Sequence, residues 1–221
     1  MSHAVNFSEM SANTSTRTQR QRLTREQVRE RVLAAVNELV RERSFYELSV
    51  VEVMEWAGLE RTIFYRHFDD LAHLLLRAAT DAIESLYEAQ VQLDVGREEG
   101  DLEAVRAAIE PAVRVYAEHG PVLRAVSEAG ASDPLIAARG AQLRRRFNDL
   151  LAGSLARLPG LQETAPADIA ESARALNLMN EAYLREAFGR TPRISAEEAV
   201  ETLSEIWAAF IDRHAPAGGS D

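Results

Sequence analysis

The sequence predicts an all-α protein of about nine helices, with a small N-terminal domain followed by a larger helical one. Three observations support this fold class. Ala, Leu, Glu and Arg, which are all strong helix formers, dominate the chain. Apolar residues recur three and four positions apart, and no segment alternates as a half-buried strand does. Capping residues, glycines and prolines stand where the apolar runs begin and end.

Residues 1–23 contain few side chains that could form a core, so burial cannot offset the entropy lost on ordering them. We expect this segment to be disordered. Its last part is basic, because Arg17, Arg20 and Arg22 stand just before the first helix. Two interpretations are open: a solvated tail, or an arm that contacts DNA phosphates. Arg22 is the candidate DNA contact of such an arm.

The first helix is predicted to begin at Thr24, where Gln27 can complete a capping box, and to end near Arg43. Residues 48–68 then predict two short helices joined by a tight turn. Ser49 can cap the first of these helices, and Gly58 can end it in the left-handed conformation. With the first helix they predict a domain spanning residues 24–68, whose core contains Val32, Val36, Leu39, Val53, Trp56, Leu59 and Phe68.

The larger domain, residues 69–215, is predicted to hold six further helices. The first is capped by Asp69 or Asp70 and continues towards Leu93, which makes it a rigid connection between the two domains. A polar segment, 94–101, follows it. The other helices are expected at about 102–118, 121–129, 135–157, 167–189 and 196–213, with breaks at His119-Gly120-Pro121 and Pro159-Gly160.

Composition and charge exclude several classes of function. The net charge is −10, but residues 1–68 carry ten Arg against nine acidic residues, so the negative charge lies in the larger domain. The chain has no Cys, and its five His lack metal-binding spacing. Phosphate loops and nucleophile motifs are absent, so we expect no catalytic residue, metal or cofactor and no enzyme. No apolar run approaches the roughly 18 residues of a membrane span, and we expect a soluble, cytoplasmic chain without a membrane partner.

The second short helix of residues 48–68 has a polar face that suits the major groove of DNA. Its two i, i+4 pairs each join an arginine to a hydroxyl-bearing side chain. Guanidinium groups bind phosphate or guanine, and hydroxyls bind phosphate oxygens, so the segment predicts a helix-turn-helix. A helical hairpin with a solvated polar side is the alternative. The predicted DNA contacts are Arg61, Thr62, Tyr65 and Arg66, with Ser49 and His67 as secondary phosphate contacts.

The stretch LSVVEVMEWAGLERTIFYRHF, residues 48–68, resembles the DNA-binding domain of TetR-family transcriptional regulators. The shared features are the Ser before the first motif helix, the Ala57-Gly58-Leu59 turn, and Tyr65 and Phe68 near the end. The segments RALNLMNEAYLREAF and EIWAAFI further resemble the EthR-like repressors of that family. The resemblance implies a homodimeric regulator, usually a repressor, which binds a palindromic operator and is released by a small, mostly apolar effector.

The resemblance also implies that helices 167–189 and 196–213 pair across the dimer, with apolar residues Leu176, Leu203, Ile206 and Phe210. Four residues of the first of these helices share one face and could orient a polar group of an apolar ligand: Asn177, Asn180, Glu181 and Leu184. Aromatic walls are expected from Tyr116, Phe147, Tyr183 and Trp207. Alternatively, the asparagines form hydrogen bonds across the dimer interface or to backbone. The run Arg144-Arg145-Arg146 is interpreted as a solvated face or as a partner for acidic residues.

Three residues depart from the family pattern. Glu60 replaces a small polar residue and Ile63 replaces a threonine, while Asp69-Asp70-Leu71 lacks the usual lysine. Glu60 could accept a hydrogen bond from cytosine or cap the helix. Fewer cations weaken attraction to phosphate. A helical interaction protein of the same fold, which does not bind DNA specifically, therefore remains an alternative.

Overall fold

A computed structural model of the chain describes residues 23–91 and 102–214, and all regular structure within those ranges is helical. The predicted all-α class is confirmed. Arg22 and the rest of the predicted basic arm lie outside the described residues. The α-helices are α1 (Arg25–Glu42), α2 (Val50–Trp56), α3 (Arg61–Phe64), α4 (Leu71–Ala78), α5 (Thr80–Val91), α6 (Leu102–Ala129), α7 (Pro134–Leu155), α8 (Pro166–Phe188) and α9 (Ala196–Arg213). Short 3₁₀ turns occupy Phe45–Glu47 and Pro159–Leu161.

Helices α1 and α2 begin and end where the sequence predicts, and α3 is a single turn that ends at Phe64. Thr24 and Gln27 form the capping box of α1, and Ser49 caps α2 by accepting a hydrogen bond from the Glu52 N–H. Gly58 has φ of +67°, a left-handed conformation that side chains with a Cβ rarely adopt. The chain therefore turns sharply between α2 and α3.

The placement of Trp56 in the N-terminal core is wrong, because 63% of this side chain is exposed. At about 100° per residue, Trp56 lies roughly a third of a turn away from the face of α2 that carries Val53 and Met54. Those two residues are fully buried instead. Phe64, on the other side of the turn, fills the aromatic position in the core.

The predicted break at His119-Gly120-Pro121 is also wrong, because α6 continues through it from Leu102 to Ala129. A proline inside a helix removes one main-chain hydrogen bond, and packing of the helix on its neighbours can compensate for that loss. Gly120 and Pro121 are both buried. A Cβ on Gly120 would lie 2.2 Å from the carbonyl oxygen of Phe188, so the glycine is needed for close approach of α8 rather than for helix termination.

The predicted connecting helix is two helices, α4 and α5, which meet at Ala79. Asp70 caps α4 as expected, because its carboxylate accepts a hydrogen bond from the His73 N–H at 2.7 Å. At the junction the Thr80 hydroxyl donates to the Leu76 carbonyl oxygen at 3.1 Å. Such a bond from a side chain back to the previous turn competes with the main chain and bends helices.

Two hydrophobic cores lie along the chain. The first is built by α1 to α4 and is completed by Val122, Ala125 and Ala129 of α6 and by Ile136 of α7. The second is built by α5 to α9 around residues such as Leu151 and Leu184. Helix α6 therefore contributes its C-terminal part to one core and its N-terminal part to the other. Within the described ranges, no helix has the length and apolarity needed to cross a membrane.

Candidate nucleic-acid interface and effector cavity

The polar face of α3 and of the turn that follows it is exposed, and the apolar side of this segment is anchored in the first core. Phe64 and Phe68 are buried with ring centroids 5.5 Å apart, so they fix the helix and the turn that follows it. The Arg61 guanidinium lies 3.5 Å from the Tyr65 hydroxyl, at the limit of hydrogen bonding. The structure thus brings the four primary candidates to the surface together: Arg61, Thr62, Tyr65 and Arg66.

Glu60 stands at the N-cap position of α3, but its side chain makes no capping hydrogen bond. Glu60 therefore does not cap α3 through its side chain. The Glu60 residue is exposed, so its carboxylate stands at the start of the candidate recognition helix. Ser49 is engaged locally, because its hydroxyl donates to the Glu52 carboxylate at 2.8 Å as well as capping α2. Its contact with phosphate stays a prediction.

A cluster of cationic side chains surrounds His67. Partial burial lowers the pKa of His67 below its ordinary value, and the positive charges of Arg29, Arg25 and Arg66 lower it further. Arg25 and Arg29 belong to α1, and the sequence reasoning did not select them as DNA contacts. Their i, i+4 spacing on the exposed side of α1 was the signal available. The positive charges of Arg25 and Arg29 of α1 therefore act on His67, which follows α3.

A cavity of about 620 Å³ lies among α4, α5, α6, α7 and α8. Six of the seven predicted ligand residues line it: Tyr116, Phe147, Asn177, Asn180, Glu181 and Leu184. Trp207, the seventh, is not among the lining residues. It is buried behind Asn180, and its indole N–H donates to the Asn180 side-chain oxygen at 3.1 Å. Trp207 therefore positions a lining residue rather than forming the wall.

The two asparagines form hydrogen bonds within the chain. The Asn177 amide donates to the Asn148 side-chain oxygen at 2.8 Å, and Asn180 is held by Trp207 as described. Both amides keep further donors or acceptors, because each carries two N–H groups and an oxygen with two lone pairs. The side-chain amides of Asn177 and Asn180 are thus held in place by bonds within the chain and can orient a ligand.

One end of the cavity is charged. The Glu181 carboxylate lies 3.0 Å from the Arg185 guanidinium and 3.8 Å from that of Arg144. Tyr116 is buried beside this group; burial and the negative charge of Glu181 raise the pKa of its hydroxyl well above the usual range. Of the arginine run in α7, Arg144 and Arg146 line the cavity, whereas Arg145 does not. The interpretation of this run as a partner for acidic residues therefore holds for Arg144.

Apolar residues of the cavity lining reach the first core. Leu76 and Ile83 line it from α4 and α5, and Leu123, Val126 and Ile136 line it from α6 and α7. Ile136 also belongs to the first core, and Val126 packs against that core. The cavity therefore shares part of its wall with the core in which α3 packs.

A buried arginine, Arg124 of α6, connects α1 and α8. Its guanidinium donates to the carbonyl oxygens of Val40 at 2.6 Å and Arg43 at 2.9 Å, at the end of α1. It also donates to the Gly189 carbonyl at the end of α8, at 2.7 Å, and forms an ion pair with Glu128. Charged donors are well suited to the free carbonyls of helix C-termini. No local pattern in the sequence predicts this role for Arg124.

Glu128 extends the connection to the 3₁₀ turn that follows α1. Its carboxylate accepts hydrogen bonds from the Ser44 hydroxyl at 2.7 Å and from the Phe45 N–H at 2.9 Å, and the Tyr46 hydroxyl donates to its carbonyl oxygen. Burial alone would raise the pKa of Glu128. The bonds from Phe45 and Ser44 and the charge of Arg124 outweigh burial, so the pKa lies below its ordinary value.

The apolar residues expected at the dimer interface fall into two groups. Leu176 and Leu203 are buried within the core of the same chain, so they are not available to a partner. Ile206 of α9 is exposed, and Phe210 is half-buried. Leu178 of α8 is exposed as well, although the sequence reasoning did not select it.

The similarity to known proteins spans both the N-terminal helices and the larger domain. Residues 105–212 match the family described as the C-terminal domain of the transcriptional regulator EthR. The HTH-type transcriptional regulator EthR of Mycolicibacterium smegmatis is 28% identical over 192 residues, which cover 85% of this chain and 87% of that protein. The Mycobacterium tuberculosis regulator of the same name is 27% identical over 188 residues, covering 81% and 85%.

A similar fold occurs in a solved structure, that of the TetR-family transcriptional regulator PfmR from Thermus thermophilus. It matches with a TM-score of 0.65 at 22% identity, covering 83% of this chain and 97% of that one. At this identity the likeness concerns the fold. The similar proteins are regulators and not enzymes, as the sequence analysis predicts for this chain.

Proposed function

We propose that this chain, a transcriptional regulator of the TetR/EthR type, binds a palindromic operator as a homodimer and represses until a small, mostly apolar effector releases it. The observation that carries this proposal is the connection between an exposed recognition face and a separate cavity. The face on α3 suits DNA, and the cavity suits a ligand. Arg124 with Glu128 joins α6 and α8, which line the cavity, to the end of α1, which packs in the same core as α3.

On the DNA side, Arg61 and Tyr65 would lie in the major groove with Thr62 and Arg66. Arginine reads guanine through two parallel hydrogen bonds, and the hydroxyls bind phosphate. Arg25, Arg29 and His67 would neutralise phosphates beside the groove. These cations offset the exposed carboxylate of Glu60 and the acidic start of α4, which weaken attraction to the DNA backbone.

The dimer would form through α8 and α9, where Leu178 and Ile206 are exposed. Exposed apolar side chains on neighbouring helices favour burial against a second copy of the same surface. Two-fold symmetry would place the two recognition helices on half-sites about one helical turn of DNA apart. Because operators lie on the chromosome, the regulator would act in the cytoplasm.

Effector release would proceed through the corner between α6 and α7. Ser127, Gly130 and Ala131 line the cavity at this corner, and Glu128 lies between them in sequence. A ligand that favours a shifted corner would weaken the contacts of Glu128 with Ser44 and Phe45. The end of α1 would then move, and α3, which packs in the same core, would no longer match its half-site. This is a shift between two populations of the protein, driven by the ligand's preference for one.

A mobility-shift titration at fixed salt tests the DNA-binding part, with a palindromic fragment from beside the gene and a scrambled fragment of equal length. We expect saturable binding to the palindrome, competed poorly by the scrambled fragment and weakened steeply by salt. Equal affinity for both fragments would favour the second candidate, a helical interaction protein of this fold that does not bind DNA specifically. Glu60 and the missing lysine at 69–71 are the observations that favour that candidate.

A variant that occupies the cavity tests the coupling. Ala112 lines the cavity, so Ala112→Phe should act as a built-in ligand and lower operator affinity. Ala117 is exposed on the same helix and does not line it, so Ala117→Phe is the matched control. A folded Ala112→Phe protein with unchanged affinity would contradict the proposed coupling.

A further inference from the structure

We propose that the effector is an anionic amphiphile: its acidic group binds at Arg144 and Arg185, and its apolar chain extends towards Ile83 and Leu123. This inference rests on the proposed function, because it takes the cavity as the effector site. It goes further by naming the charge of the ligand and the direction in which the ligand lies.

The charge of the cavity lining is the first observation. Four arginines and two glutamates line the cavity, although the whole chain carries a net charge of −10. The four arginines are Arg139, Arg144, Arg146 and Arg185, and the glutamates are Glu84 and Glu181. The lining is therefore cationic inside an acidic protein, which favours the entry of an anion.

The geometry at Glu181 is the second observation. Two guanidinium groups face one carboxylate, with Arg185 at 3.0 Å and Arg144 at 3.8 Å. The Arg144 guanidinium makes no hydrogen bond in the part of the chain that the structure describes. The two guanidinium groups share one counter-charge; the Arg144 side chain is 44% exposed and that of Glu181 is 24% exposed. A second carboxylate, supplied by the ligand, would complete the group.

Tyr116 is the third observation. Its side chain is buried at the charged end of the cavity, and its hydroxyl makes no hydrogen bond to any described residue. The hydroxyl is therefore free to donate to a group that a ligand brings into the cavity. A ligand carboxylate would accept from this hydroxyl as well as from Arg144. Arg144, Arg185 and Tyr116 thus form the place for the head group, and the apolar lining residues can cover the chain.

Calorimetric titration of the full-length protein with three twelve-carbon probes, each below its micelle-forming concentration, tests the ligand charge. The probes are dodecanoate, 1-dodecanol and dodecylamine. We expect dodecanoate to bind at least about tenfold more tightly than the alcohol, because charge-assisted bonds replace neutral ones, and the amine to bind most weakly. Equal or tighter binding of the alcohol or the amine, or no binding of dodecanoate, would overturn the inference.

Substitutions in α7 and α8 locate the head group. Arg144→Gln should lower dodecanoate affinity about tenfold and leave dodecanol affinity unchanged. Arg145→Gln is the matched control, because Arg145 is the next residue on the same helix, is exposed and does not line the cavity. Glu181→Gln removes the competing carboxylate and should raise dodecanoate affinity. Equal effects of Arg144→Gln and Arg145→Gln, or weaker acid binding in Glu181→Gln, would contradict the assigned site.

The same probes separate this inference from the proposed function when they are added to the operator complex. If acid and alcohol bind equally and both release the operator, the regulator function holds and the charge assignment is wrong. If the acid binds preferentially but the operator stays bound, the charge assignment holds and effector release is wrong.

Discussion

The Ser44 hydroxyl donates a hydrogen bond of 2.7 Å to the Glu128 carboxylate, joining residues 84 positions apart in the chain. Ser44 follows α1, which packs in the same core as α3. Glu128 lies on the segment of α6 that borders the cavity. The Phe45 N–H and Arg124 bind the same carboxylate. The Glu128 side chain therefore ties the segment that follows α1 to α6.

Replacing Glu128 should destabilise the protein and weaken operator binding without any ligand. Glu128→Ala leaves Ser44, the Phe45 N–H and Arg124 without their acceptor, a loss we expect to cost about 2–3 kcal/mol. Urea denaturation measures that cost. Glu110→Ala on the same helix is the control, because its ion pair with Arg114 is exposed and contributes about 1 kcal/mol or less. Equal effects of the two variants would contradict the proposed connection.

The stability supplied by Glu128 should depend on pH in a defined direction. Its pKa in the folded protein lies below the ordinary value of 4.5, because the hydrogen bonds from Phe45 and Ser44 and the charge of Arg124 outweigh burial. The unfolded chain then binds more protons as the pH falls, so this stability is complete above about pH 5 and is lost at lower pH. We expect the difference in unfolding free energy between the native chain and Glu128→Gln to shrink between pH 6 and pH 3.5. A difference that is constant over this range would contradict the assignment.

Arg61→Ala should weaken operator binding and leave the fold intact. Arg61 is exposed on α3 and makes no ion pair with any described residue, so its removal leaves no buried partner unsatisfied. Loss of a base contact costs about 1–3 kcal/mol, which corresponds to roughly five- to 150-fold in affinity. Mobility shift measures the affinity, and thermal unfolding checks the fold. Arg145→Ala, which removes an exposed arginine from α7, is the control and should change neither the operator affinity nor the unfolding temperature. Unchanged operator affinity in Arg61→Ala would exclude the base contact.

Operator affinity should rise as the pH falls from about 7.5 to 5.5. Partial burial and the charges of Arg29, Arg25 and Arg66 keep the pKa of His67 below its ordinary value in the free protein. Phosphates of bound DNA would screen those cations and favour the protonated ring, so binding would take up a proton. His67→Gln should flatten the pH profile of the dissociation constant. If the native profile is already flat, His67 does not contact phosphate.

The helix boundaries were largely predictable from sequence because the residues that set them act locally. Thr24, Ser49 and Asp70 cap helices through bonds within one turn, and Gly58 supplies a conformation that few other residues adopt. The polar face of α3 was predictable for the same reason. The exposure of Trp56 could not be predicted from its residue type, because its angular position on α2 decides it.

The contacts that join distant segments could not be predicted in this way. Arg124 stands among polar and apolar residues of α6 with no local signal that it is buried, and its partners come from α1 and α8. The cationic end of the cavity arises because α7 brings Arg144 to Glu181 of α8. Gly120 was read as a helix end, although its role is set by the approach of Phe188 from another helix.

Gly120→Ala should destabilise the larger domain, although the same change usually stabilises a helix. The added Cβ would lie 2.2 Å from the Phe188 carbonyl oxygen and 2.9 Å from its Cβ, so α6 and α8 must separate. Overpacking of this kind typically costs about 1–3 kcal/mol, and backbone atoms cannot yield as a flexible side chain can. Gly153→Ala is the matched control: a Cβ there meets nothing within 4 Å, and alanine should stabilise α7 by about 0.5–1 kcal/mol. Urea denaturation of the two variants should therefore give free-energy changes of opposite sign. If both substitutions stabilise the protein, α6 and α8 are not in close contact at Gly120. The neighbouring hydrogen bond between Arg124 and Gly189 would then also be in question.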